Sequence, residues 1–167
     1  MKRMFSEVTF LILVGACIVM CFISSASAEK MKISGNNKTE RIISQDTVTP
    51  GDAPGHMMMQ TVTMSTTSSS NVDWNNTTMM DCQHMDQSGD KGKHEGYGYH
   101  THKGGDQTFF KYWGTQKSAG EGKMAMDGKF EWTGGTGKFK SLKGGGTYTC
   151  TGTVSHSACD WQGEVEY

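Results

Sequence analysis

The sequence predicts an all-β chain, an antiparallel sandwich or barrel, and three observations carry that reading. Leu142 is the single leucine after residue 28, while glycine and threonine are abundant. Leucine favours helices, glycine opposes them, and threonine and the aromatics suit strands. Beyond residue 96, strand-forming runs alternate with glycine-bearing turns at strand-and-turn spacing, which leaves no room for crossover helices. Finally, Cys150 and Cys159 enclose eight residues, a spacing at which a tight hairpin sets two side chains opposite each other on one face.

Residues 1–28 read as a secretory signal peptide. Lys2 and Arg3 form a charged start, Phe10 to Ile23 an apolar core, and Ala26-Ser27-Ala28 a small-x-small cleavage site. Export to a periplasmic or secreted location follows, with no stable membrane span left after cleavage. The remaining 139 residues, 29–167, suit one domain. They carry 14 basic and 16 acidic side chains, net −2, with the lysines spread among acids. No basic stripe exists to bind nucleic acid.

Within that domain, Arg41 to Val48 reads as a strand, followed by turn residues from Thr49 to Gly55. His56 to Met64 reads as a second strand, with Met58, Gln60, Val62 and Met64 on one face. Ser65 to Asn76 is rich in Ser, Thr and Asn, and Asp81 to Lys93 shows little periodicity. Together they predict a loop-rich segment over about 65–95. Five strands then follow: Tyr97 to His102, Thr108 to Trp113, Gly122 to Trp132, Gly145 to Val154 and Cys159 to Tyr167. Centring the last hairpin between Val154 and Ser155 places Cys150 opposite Cys159, Tyr148 opposite Trp161 and Gly146 opposite Gly163. A Cys150–Cys159 disulfide follows from that register, leaving Cys82 as a free thiol.

The stretch GGTGKFK, residues 134–140, invites comparison with a phosphate-binding loop. Such a loop needs a glycine five residues before Gly137 and a hydroxyl residue after Lys138, but Trp132 and Phe139 stand there. The stretch is therefore a bend between strands. In its longer form, GGTGKFKSLKGGGTY from Gly134 to Tyr148 resembles the glycine-rich strand-turn-strand signature of dirigent proteins and allene oxide cyclases. Similar stretches occur in secreted bacterial proteins. The resemblance implies a single up-and-down barrel of about eight strands, lipocalin-like, that holds an apolar or aromatic ligand in its mouth. It also implies that some relatives guide a cyclisation or coupling by the shape of their cavity. The acidic and basic residues those relatives use lie outside the matched stretch, so none is carried over.

In such a barrel Trp132, Tyr148 and Trp161 either fill the interior or line a pocket for a small hydrophobic ligand. A second binding chemistry is legible in His94, His100 and His102, spaced H-x5-H-x-H, with Cys82 in the upstream run MMDCQHMD. Histidines at i and i+2 on a strand share a side, and imidazole with thiolate and thioether donors is the set copper prefers. The opposing reading makes these histidines solvated positions on a glycine-rich ribbon and the methionines gap fillers. No catalytic set is legible: there is no G-x-S-x-G, and Glu164 and Glu166 alternate with apolar residues as on a strand with one wet face. The expected role is that of an exported barrel that binds a small apolar or aromatic molecule. The alternatives are a Met/His copper-binding protein of the periplasm and a barrel that guides a reaction.

Overall fold

A computed structural model describes residues 30–153 and 155–167; the signal-peptide expectation falls on residues outside that range. Eight antiparallel strands follow one another around a closed barrel: β1 (Met31–Val48), β2 (His56–Ser69), β3 (Thr77–Ser88), β4 (Lys91–Thr101), β5 (Gln107–Ser118), β6 (Met124–Gly135), β7 (Lys143–Gly152) and β8 (Ser157–Glu166). β8 closes back onto β1, so the main body has no free sheet edge. Among the described residues no helix is long and apolar enough to cross a membrane.

The C-terminal strands match the expected positions closely, and the hairpin register is the one the cysteine spacing gives: Cys150 faces Cys159, Tyr148 faces Trp161, and Gly146 faces Gly163. The Cys150–Cys159 disulfide is formed and Cys82 is free. The N-terminal half departs from expectation in three places. β1 begins ten residues before Arg41, at Met31. β2 continues past Met64 to Ser69, taking up residues assigned to a loop. The segment expected to be loop-rich, 65–95, contains all of β3 and the start of β4. Polar side chains caused the third error. β3 turns Asp81, Gln83 and Gln87 inward, and β4 turns in His94 and His100, so no apolar alternation marks either strand.

In an up-and-down barrel the loops after β2, β4 and β6 meet at one end, together with the chain's last residue. That end is closed by aromatic packing. Trp74, from the β2–β3 loop, and Phe139, from a single 3-10 turn at Gly137–Phe139, are both fully buried. They pack with Trp132, Leu142, Ile33 and Val165 in one core cluster. The GGTGKFK stretch is thus a bend that drives Phe139 into the plug. Its lysine serves the same end: Lys138 pairs with Asp73, which also accepts the Tyr167 hydroxyl at 2.7 Å. At the opposite end β1 runs on past β8. Pairing with β8 stops at Lys38, whereas pairing with β2 continues to Val48 and β2 itself stays paired with β3 down to His56 and Ser88, so β1 beyond Lys38 is an open margin of the sheet at this end. His56, at the turn end of the β1–β2 hairpin, bridges Asp52, at 2.5 Å, and Asp86 on β3, at 3.1 Å.

Candidate functional site

The interior is built by large rings laid over small residues. The inward face of β4 reads His94, Gly96, Gly98, His100, and the two glycines receive rings from β5. A Cβ on Gly98 would lie 2.5 Å from Phe110 Cζ, and one on Gly96 would collide with the Tyr112 hydroxyl and the Cys82 carbonyl. Glycine is the residue that permits this approach. Gly96→Ala is accordingly expected to cost about 1–3 kcal/mol by overpacking and to push Tyr112 off its partner. Urea denaturation checks it; an unchanged midpoint removes this account of the packing.

Above the plug a cavity of about 120 Å³ remains, and every strand contributes to its lining. Its wall is aromatic: Phe110, Tyr112, Phe130, Trp132, Tyr148 and Trp161. Met124 and Met126, with the disulfide, line it toward the β7–β8 turn, where Thr153 and Ser157 form part of the rim. Trp132, Tyr148 and Trp161, the residues singled out from sequence, all face this space. They line a partly filled barrel, with the plug below and a hollow above.

The wall opposite the rings is polar, with Asn37 and Thr39 from β1, Thr61, Thr63 and Ser65 from β2, and Asp81 and Gln83 from β3. Asp81 accepts a hydrogen bond from the Tyr112 hydroxyl at 2.8 Å, its one side-chain partner among the described residues. Burial drives its pKa up to about 7, against the lowering effect of that hydrogen bond. Tyr112 is held well above the usual tyrosine range, first by burial and then by the Asp81 charge. The Tyr148 hydroxyl hydrogen-bonds His94 Nε2 at 2.5 Å, and burial lowers the His94 pKa. His100 is pushed down to about 3 by burial and then by His102, so it is neutral at physiological pH. Its Nδ1 sits 3.2 Å from the Thr67 hydroxyl and 3.1 Å from that of Thr77. Two lining residues, Thr61 and Trp132, each have a buried polar atom, Oγ1 and Nε1, with no hydrogen-bond partner among the described residues.

The structure divides the expected metal set. His94, His100 and His102 are buried, not solvated on a surface ribbon. The His100 and His102 rings lie 6.4 Å apart. Both nitrogens of His102 are engaged: Nδ1 donates to the Asp73 carbonyl at 2.6 Å, and Nε2 accepts from the Thr108 hydroxyl at 3.0 Å. Cys82 has the opposite strand parity to the inward-facing Asp81 and Gln83, and it meets Gln60 at 3.7 Å on the outer face. Cys82 is therefore not brought together with the three histidines. Among the described residues no group of three or more His, Cys, Asp and Glu side chains is placed to hold a metal ion.

Sequence reasoning passed over Asp81, Tyr112 and Thr61. A signal for Tyr112 was present in Gly96 and Gly98, inward glycines that call for a neighbouring ring. Asp81 had none, because an acid within a polar stretch is indistinguishable from a solvated one until its neighbours are known.

No protein family matches this chain, and no curated protein does. Among solved structures, a pterocarpan synthase dirigent protein is similar at 8% identity, with 87% of this chain and 93% of that chain covered at a TM-score of 0.35. At that level the likeness carries no argument, and the eight-stranded closed barrel stands on its own strand pairing.

Proposed function

We propose that this protein is an exported binding barrel whose cavity takes one compact apolar or aromatic molecule. The observation that carries the reading is the ring-walled hollow of about 120 Å³ whose lining residues Thr61 and Trp132 each have a buried polar atom, Oγ1 and Nε1, with no partner among the described residues. A buried polar atom without a partner is costly. A ligand offering an acceptor to the indole N–H and a partner to the hydroxyl removes that cost. The size is right for a single ring, since an apolar cavity of about 150 Å³ accommodates benzene. The disulfide supports export, because such bonds persist in oxidising compartments.

Titration with phenol, benzyl alcohol and indole tests the reading, with Trp132 and Trp161 as intrinsic fluorophores in the cavity wall. A saturable change in emission is expected for at least one of the three, and a flat response to all of them overturns it. A second reading, a barrel that guides a reaction, has one observation behind it: Asp81 has a pKa of about 7, and general acids and bases work best near the operating pH. Mass spectrometry of the bound molecule after incubation separates the two. Recovery unchanged supports binding, and conversion that Asp81→Asn abolishes supports the second reading.

A further inference from the structure

The charge inventory of the cavity is one-sided. Asp81 is the single carboxylate on the lining, and no lysine or arginine joins it. The other titratable groups that face it are His100 on β4, Tyr112 on β5 and Tyr148 on β7. The lining residues of β1, β2, β6 and β8 do not titrate in the physiological range. Asp127 on β6, exposed on the outer side, adds its negative field through Tyr148 and His94. Among the described residues that line the cavity, no positive charge answers Asp81. Its Tyr112 partner occupies Oδ1, which leaves the second oxygen without a protein donor among the described residues.

Around this carboxylate the rings form a continuous wall. Tyr148 meets Tyr112 edge-on at 5.8 Å, Tyr112 meets Phe110 at 6.1 Å, and Phe110 meets Trp132 at 5.8 Å. Phe130 continues the series to Trp132 at 5.4 Å and to Trp161 at 6.2 Å. Ring faces carry negative electrostatic potential, and a cation over a desolvated ring gains about 2 kcal/mol or more in general. Asp81 is part-buried and opens onto the cavity, and a carboxylate short of water is favoured when it is protonated or when a cation pairs with it.

We propose that the molecule this cavity selects carries a compact organic ammonium group, which pairs with Asp81 and lies against the aromatic wall. The proposal rests on the binding reading above and adds the charge of the ligand. The ammonium supplies the missing donor to the free Asp81 oxygen and the missing positive charge, while its carbon body fills the space between rings. A neutral ligand does neither. It leaves Asp81 protonated, and it then favours the opposite pH dependence, because only the protonated acid donates to a neutral acceptor.

Isothermal titration with benzylamine and its neutral counterpart benzyl alcohol, at pH 6 and pH 8, decides the matter on the full processed chain. Benzylamine stays protonated across that range, so any change reports on the protein. The expected result is amine binding at pH 8 at least about tenfold tighter than alcohol binding, weakening about tenfold by pH 6 as Asp81 takes up a proton. In Asp81→Asn the amine's advantage disappears. Saturable binding of the alcohol that equals or exceeds that of the amine at pH 8 overturns the ammonium proposal and leaves the binding barrel intact. Amine affinity that rises on going to pH 6 overturns it as well. If neither compound binds, the binding reading fails and the ammonium proposal with it.

Discussion

Trp74→Ala is expected to lower the unfolding free energy by about 3–5 kcal/mol, the usual cost of truncating a buried aromatic. That is a large share of the roughly 5–15 kcal/mol a domain has in total. Trp74 has no exposed surface and is the hub of the plug. Its ring centroid lies 5.4 Å from His102, 5.5 Å from Trp132, 5.5 Å from Phe139 and 5.9 Å from Tyr167. Neighbouring Asp73 is pinned by Lys138 and Tyr167, so the surrounding loop cannot collapse into the vacated space. A void left open loses both the transfer energy and the contacts of its lining. Trp74→Phe separates ring from polar atom. The indole Nε1 is buried without a partner, a burden of about 1–3 kcal/mol. The smaller ring removes that burden while giving up part of the packing, so Trp74→Phe is expected within about 1 kcal/mol of the parent by the same opposing terms. Guanidinium denaturation of the three proteins checks both. A loss below about 1 kcal/mol for the alanine variant, far under the cavity range, means that the plug does not hold the barrel together.

Trp74 also shows where the sequence was legible and where it was not. The C-terminal strands could be read because glycines mark their turns and because Cys150 and Cys159 fix a register by arithmetic. Tyr148 and Trp161 could be placed on one face once that register was known, and Trp132 joined them through the barrel that the glycine-rich stretch implied. The stretch from Ser65 to Asn76 looked like a plain polar loop, yet it carries a fully buried residue, since a single tryptophan among serines and asparagines has no periodicity to declare it. β1 hid its first half for a related reason. Its inward residues between Ile33 and Thr39 are Gly35 and Asn37, small or polar, and Asn37 is there to accept from Trp161 Nε1 at 3.1 Å. Gly35 is there to leave room for the same indole. Such positions make sense only in the presence of a partner more than a hundred residues away. Asp81 was hidden in a similar way by a nearer partner, because its environment is assembled by Tyr112, 31 residues on in β5, lying over Gly96 from β4.

Asp81→Asn is expected to make the protein more stable at neutral and alkaline pH, by an amount on the order of 2 kcal/mol, because Asp81 is only part-buried and water in the cavity screens part of its charge. In the folded chain the carboxyl pKa is raised from 3.8 to about 7. The folded state thus holds a proton that the unfolded state has released, across the interval between those values. Below pH 4 both states are protonated and Asp81 costs nothing through its charge. As pH rises toward 7, stability falls, and above 7 the penalty of a part-buried carboxylate remains. Asparagine keeps the acceptor for the Tyr112 hydroxyl and carries no charge, so its advantage should grow from near zero at pH 4 to a plateau above pH 7. Urea denaturation of both proteins at pH 4, 6 and 8 measures the curve. An advantage that stays flat with pH would mean that Asp81 is solvated well enough to keep its ordinary pKa, and the case for a charge-seeking cavity would lose its energetic basis. A rising advantage has the converse meaning. The chain then carries, at the one charged position on its cavity wall, a residue that weakens the fold, and a cation bound beside it would return that stability by neutralising the buried charge.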